Sequence, residues 1–441
     1  MLKLHALFQR IHRLDRPEPP WDDGSPIRAE LFSIERLEDH ARSLAAAQPV
    51  TPRETKGASL AKRLADNETL LLSAWRDTAE AIKAGATITP AAEWLIDNFY
   101  RVERQIREIR ADLPPGYYRQ LPKLAAGPFA GYPRILGVAW AFVAHTDSLF
   151  DPDVLRRYLR AYQGVQPLTI GELWAITVTL RFVLVENLRR LAQRVMDSRA
   201  GRRAADALAD GLLASSGRAP EDAATLLSSH SPAKFTDAFV VQLVHRLRDQ
   251  DPGIAPALAW LDEQLGQNGL TSDNIVRLEH DRQAAASVTV RNIITSMRLV
   301  SDVDWMELFE QVSLVDDAFN SGSAFGDMDF PTRNLYRTAV EELARGSGLV
   351  ELDVARAAIA KAQRARQNVS DGVETRWTDP GYYLIAGGRA GFEADIHYKP
   401  PLKSFPQRLF RALGIGGYLT CGAAITCGIL FISLYLEADR G

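Results

Sequence analysis

Residues 89–116 read TPAAEWLIDNFYRVERQIREIRADLPPG. Thr89 offers a side-chain acceptor to the free N–H groups of a first helical turn. Pro90 suits the next position, where its missing donor costs nothing. Leu95, Phe99, Val102, Ile106 and Ile109 then recur at alternating steps of four and three, with Arg101, Glu103, Arg104, Arg107 and Glu108 on the other faces. That spacing is the signature of an amphipathic helix. Leu113-Pro114-Pro115-Gly116 ends it, because proline cannot continue the ladder and glycine opens a turn.

The same grammar repeats outward from this segment. Thr169-Ile170-Gly171-Glu172 is a capping box opening a helix to about Arg194, with Leu173, Ile176, Leu180, Leu184 and Leu188 on its face. Helices are also predicted over 59–84, 233–248, 272–298, 332–345 and 351–365. In 332–345, Leu335, Ala339 and Leu343 share one side and Gly346 is the stop signal. Strand signals are nearly absent, so the fold class is all-α, built from helical bundles. Residues 197–232, rich in Ala, Ser, Gly and Arg, read as weak helices with a linker. The expected division is therefore a poorly ordered lead-in (1–30), a first bundle (31–196), the linker, and a second bundle (233–411). Pro115-Gly116-Tyr117-Tyr118 recurs as Pro380-Gly381-Tyr382-Tyr383, which reads as a shared turn rather than a repeat.

With 441 residues, the chain has room for two or three packed units. A net charge of −3 lacks the electrostatic footprint of a protein that coats nucleic acid. Two cysteines exclude a disulfide scaffold and a four-cysteine zinc site. Both cysteines, Cys421 and Cys427, lie in the run LGIGGYLTCGAAITCGILFISLYL, residues 413–436, which has no charged side chain. As a helix it spans roughly 36 Å, more than the ~30 Å hydrocarbon core of a bilayer, and its glycines are tolerated there. It is therefore predicted to be a C-terminal transmembrane helix. Lys399, Lys403, Arg408 and Arg411 precede the run, and Glu437, Asp439 and Arg440 follow it. The positive flank predicts that residues 1–411 lie on the cytoplasmic side of the membrane. The N-terminal MLKLHALFQRIHRL is basic and amphipathic, not a secretory signal core.

Motifs that carry chemistry are sparse. The eight histidines never fall at i, i+4, and there is no H-E-x-x-H, phosphate loop or nucleophile elbow. His145 and Asp147 have the spacing of an acid/base pair, although a histidine satisfied at a helix end is the commoner case. Asp327-Met328-Asp329 resembles the D-x-D that holds a divalent cation in nucleotide-sugar transferases, but it precedes a helix start, where acids serve as caps. Asp316-Asp317-Ala318-Phe319-Asn320 loosely matches the aspartate motif of all-α enzymes that handle prenyl diphosphates. Arg376-Trp377 lacks the glutamine three residues earlier that would complete a Q-x-x-R-W acceptor motif. No catalytic, cofactor-binding or metal-ligating residue is assigned.

Several segments together do point to a family. They include QIREIR (105–110), LPPGYYRQLPKL (113–124), GYPRILGVAWAFVAHTDSLFDP (131–152), MDFPTRNLYR (328–337), EELARGS (341–347) and GYYLI (381–385). In order and spacing they resemble the N-terminal region of cyclic β-1,2-glucan synthases, large bacterial inner-membrane proteins. The resemblance covers residues 30–436. It implies a complete enzyme that polymerises UDP-glucose with Mg²⁺ in a glucosyltransferase domain beyond the first membrane helix, with a phosphorylase-like region further on. For this chain it implies a non-catalytic, membrane-anchored scaffold ending just past that first crossing. The expected partners are the membrane, the downstream transferase domain and the β-1,2-glucan, with no nucleic acid. The alternatives are an all-α membrane-associated enzyme acting on a prenyl or lipid diphosphate, and a membrane-anchored interaction module unrelated to sugars.

Overall fold

The structure, a computed structural model, describes residues 23–51, 59–113, 115–215, 236–248, 255–266, 271–367, 376–401 and 426–430. Secondary structure in these residues is helical apart from one antiparallel pair, β1 (Val50–Thr51) with β2 (Lys123–Leu124), in which Val50 faces Leu124. The all-α expectation holds. The chain forms two compact units, Met1–Val312 and Ser313–Gly441.

The first unit contains α1 (Ile34–Ala47), α2 (Leu60–Lys83), α3 (Pro90–Asp97), α4 (Phe99–Asp112), α5 (Pro115–Gln120) and α6 (Arg134–His145). It continues with α7 (Pro152–Gln163), α8 (Ile170–Ser215), α9 (Asp237–Arg248), α10 (Ala255–Gly266), α11 (Ser272–Asp302) and α12 (Trp305–Val312). Thr89 caps α3 by accepting from the Ala92 N–H. The apolar series starting at Leu95 is buried as predicted, but Asn98 (φ −115°, ψ 13°) divides the expected single helix into α3 and α4.

α8 is the axis of the unit. It packs against α2, α4, α6, α9 and α11, and residues 178–188 are buried on every face. The predicted capping box forms: Thr169 N–H donates to Glu172 Oε2 at 2.9 Å, and Glu172 N–H to Thr169 Oγ1 at 3.2 Å. The helix does not stop near Arg194. It runs on to Ser215, because Ala205, Leu208, Ala209 and Leu212 form a seam with Phe239, Leu243 and Leu247 of α9. Residues 197–215, the start of the segment expected as weak helices with a linker, are helical; residues 216–232 of that segment lie outside the described residues. Part of the expected lead-in is also fixed: Ile27 is buried, and its N–H donates to Asn187 Oδ1 at 2.7 Å.

The second unit contains α13 (Leu314–Gly322), α14 (Phe330–Ser347), α15 (Glu351–Gln367), α16 (Pro380–Ile385) and α17 (Arg389–Asp395), with α15 packed on α13, α14 and α16. α14 ends not at Gly346 but at Gly348, which adopts the left-handed φ of 76°. Gly346 instead lets the Tyr398 ring lie against the helix where a Cβ would overlap it. Both Pro-Gly-Tyr-Tyr segments open six-residue helices, α5 and α16.

The predicted membrane run 413–436 lies outside the described residues except for 426–430, which are helical. Among the described residues, no helix is long and apolar enough to cross a membrane.

Candidate functional site

The acidic motifs of the second unit resolve into distinct roles. Ser313 caps α13, accepting from the Asp316 N–H and donating to Asp316 Oδ1, both at 3.1 Å. Asp316 forms a two-pronged ion pair with Arg337 of α14, whose Nε lies 3.1 Å from Oδ1; each side chain is 1% exposed. The Arg337 guanidinium also lies over the Phe330 ring at 5.1 Å and the Phe325 ring at 5.8 Å. Asp317 instead lines a shallow groove between α13 and α15, with Ser321, Arg356 and Gln363. The adjacent carboxylates therefore diverge, one locked in the core and one facing the groove, and do not converge on a diphosphate. Asp327 closes a single 3-10 turn, while Asp329 caps α14 by accepting from the Thr332 N–H at 3.1 Å. Hydrogen bonds from Thr332 hold the Asp329 carboxyl below the usual carboxylate range.

In the first unit, His145 and Asp147 do not pair. His145 ends α6, stacks on Phe32 (4.0 Å between centroids, 11° between planes) and shares a 2.8 Å hydrogen bond from Nδ1 with the Glu30 carbonyl. Asp147 takes a left-handed φ of 49°, which turns its carboxylate away to accept from Thr289 Oγ1 at 2.7 Å and to pair with Arg28 at 3.4 Å. The next residue, Ser148, is also left-handed (φ 63°), and its hydroxyl accepts from Asn187 Nδ2 at 2.8 Å. Two successive non-glycine residues in this region are costly, and the buried hydrogen bonds compensate.

The His145 ring also meets His40 of α1, 4.4 Å away between centroids, with Arg36 over the Phe32 ring at 4.5 Å and paired with Glu30. Burial lowers the His40 pKa, and the neighbouring His145 lowers it further. The unfolded chain therefore holds this proton more tightly than the folded one. The stabilisation is complete above the ordinary histidine value of about 6.5 and is lost as pH falls through it toward the folded value. The melting temperature is expected to drop between pH 7.5 and 5.5, and His40→Phe, which keeps a ring there, is expected to flatten that slope. An unchanged slope in the variant would assign the effect elsewhere.

The largest polar centres escape motif reading altogether. Glu186 on α8 is fully buried and accepts from Arg63 Nη2 (2.7 Å) and Nε (2.9 Å), Asn67 Nδ2 (2.9 Å) and Arg190 Nε (2.9 Å). Burial pushes its carboxyl upward, but the Arg63 and Arg190 guanidiniums outweigh that and hold it below the ordinary value. Glu172 pairs with buried Arg134, which also donates to the Pro167 carbonyl at 3.0 Å. The available signal was charge inside an apolar run, as in LRFVLVENLRRL (180–191).

The Arg376-Trp377 remnant lies in a 3-10 turn (Arg376–Thr378), with Trp377 45% exposed. Tyr336 donates to Asp379 Oδ1 at 2.5 Å, and the same oxygen accepts from the Gly381 N–H at 2.7 Å. Among the described residues, no group of three or more His, Cys, Asp or Glu side chains is arranged to hold a metal ion.

The segments that carry the family resemblance therefore supply buried pairs and caps: Arg134, Tyr336, Arg337 and Gly381 all sit in packed positions. No family model matches the chain. Over 397 residues it is 37% identical to the cyclic beta-(1,2)-glucan synthase NdvB of Rhizobium meliloti, a match covering 89% of this chain and 14% of that protein. The chain thus spans about a seventh of the length of that curated relative. The match falls in that relative's N-terminal region, so the chain is similar to the N-terminal part of a cyclic β-(1,2)-glucan synthase and to no more of it.

Proposed function

We propose that this chain is the helical N-terminal region of a cyclic β-1,2-glucan synthase, held at the inner membrane by residues 413–436 with 1–411 on the cytoplasmic side. Its role is non-catalytic: it packs against the glucosyltransferase region that follows it in the complete enzyme, where UDP-glucose and Mg²⁺ are used. The observation that carries this reading is the match of 89% of the chain to 14% of a glucan synthase. The commitment of Asp316 to Arg337, and of Asp329 to a helix cap, supports it, because both carboxylates are used in folding.

Tyr336 and Arg337 are buried and cannot belong to the contact surface. It is formed by the outer stripe of α14, where Pro331, Leu335, Thr338, Glu342 and Arg345 recur at helical spacing and are exposed. An exposed leucine on a stripe that also carries Thr338, Glu342 and Arg345 is the composition of a modest, partly polar interface. The test is co-purification of the tagged chain with the transferase region of the synthase. Stoichiometric recovery is expected, with Leu335→Asp weakening it at least tenfold; recovery at background level would sink the proposal. A prenyl diphosphate enzyme loses its footing, because it needs the carboxylate that Arg337 occupies.

A further inference from the structure

In the second unit, exposed Trp377 and half-buried Tyr382 stand on a packed base that includes buried Tyr383. The Trp377 main-chain carbonyl accepts from the Tyr383 hydroxyl at 3.0 Å, which ties the backbone that carries the exposed Trp377 to a buried residue of α16. Tyr382 stands against Trp377 at 71°, with centroids 6.4 Å apart, and meets Tyr383 edge to face at 5.3 Å. Gly388 lies against both tyrosine rings, where a Cβ would clash with each, so the turn after α16 clamps Tyr382 in place. Lys361, ion-paired with Asp395, lies over the Tyr383 ring at 5.4 Å. The result is a rigid L-shaped aromatic corner with charged groups at its edge.

We infer that the Trp377–Tyr382 corner is a platform for a β-linked glucose oligomer, an inference that rests on the glucan-synthase reading above. A β-glucose ring carries its hydroxyls equatorially and presents axial C–H bonds on both faces. Those polarised C–H groups match the electron-rich face of an indole, while ring-edge hydroxyls need nearby donors and acceptors. A tryptophan held in advance loses little entropy on binding, which is why such residues dominate recognition surfaces. A core ring would not be left 45% exposed on so well-packed a base.

The experiment titrates the full-length, detergent-solubilised chain with a linear β-1,2-linked glucose oligomer by calorimetry, with an α-1,6-linked dextran oligomer as control. Saturable binding of the β-linked oligomer alone is expected. Trp377→Ala should weaken it at least tenfold, and Trp377→Phe, which keeps a ring face, by less than Trp377→Ala. Wild-type binding by Trp377→Ala, or no heat with the unmodified chain, overturns the inference. Co-purification with the transferase region is measured on the same variants. If Trp377→Ala loses that contact and no glucan binds, the corner is a protein-docking surface. If the contact survives without glucan binding, the scaffold reading stands and only this inference falls.

Discussion

Asp316→Ala is expected to cost the second unit about 3–5 kcal/mol, because it leaves the Arg337 guanidinium buried without its counter-charge. Both side chains are 1% exposed, and the pair joins α13 to α14. The Ser313 hydroxyl would also lose Asp316 Oδ1, the acceptor that it shares with Arg337 Nε. The double variant Asp316→Leu/Arg337→Met should recover most of the loss, since apolar groups of similar volume replace a buried pair at little net cost. Hydrogen exchange over 313–367 reports this unit separately from the first. A single variant that exchanges no faster than wild type would show that the pair contributes nothing there.

Glu186→Ala should be equally severe in the first unit, again about 3–5 kcal/mol, because one carboxylate serves two arginines. Its removal leaves Arg63 and Arg190 facing each other beside Arg189, whose own pKa is already lowered, first by burial and then by Arg63. Glu186→Gln keeps the shape and removes the charge, so a loss of about 1.5–3 kcal/mol is expected from weakened charge-assisted hydrogen bonds. The pH dependence separates charge from shape. The folded-state value lies below the unfolded one, so this stabilisation is present above about pH 4.3 and is lost as pH falls through the folded value. Urea midpoints measured from pH 7 to 3 should fall less steeply for Glu186→Gln than for wild type. Parallel slopes would mean that the carboxylate does not carry the acid limb.

What could be read from the sequence was local. The 4-3 spacing from Leu95 to Ile109, the Thr89 cap and the Thr169–Glu172 box depend on residues within a few positions of each other, and all are present. α6 was not predicted because RILGVAWAFVAH is apolar on nearly every face, so it shows no stripe; most of it is buried. The continuation of α8 past Arg194 depends on a partner helix more than 30 positions later, which small residues such as Ala205 and Ala209 do not announce. Arg63 with Glu186 and Asp316 with Arg337 likewise join distant positions. The family segments were legible for a related reason. GYPRILGVAWAFVAH holds Arg134, and MDFPTRNLYR holds Tyr336 and Arg337, so these segments carry fold-defining contacts. They carry the likeness to a glucan synthase without locating a site.

The scaffold account is tested most directly by glucan formation from UDP-glucose and Mg²⁺ in membranes containing the transferase region, measured with and without this chain supplied separately. The account predicts no UDP release by this chain alone and a higher rate of glucan formation when it joins the transferase region. UDP release by the isolated chain, or a transferase rate indifferent to its presence, would contradict it.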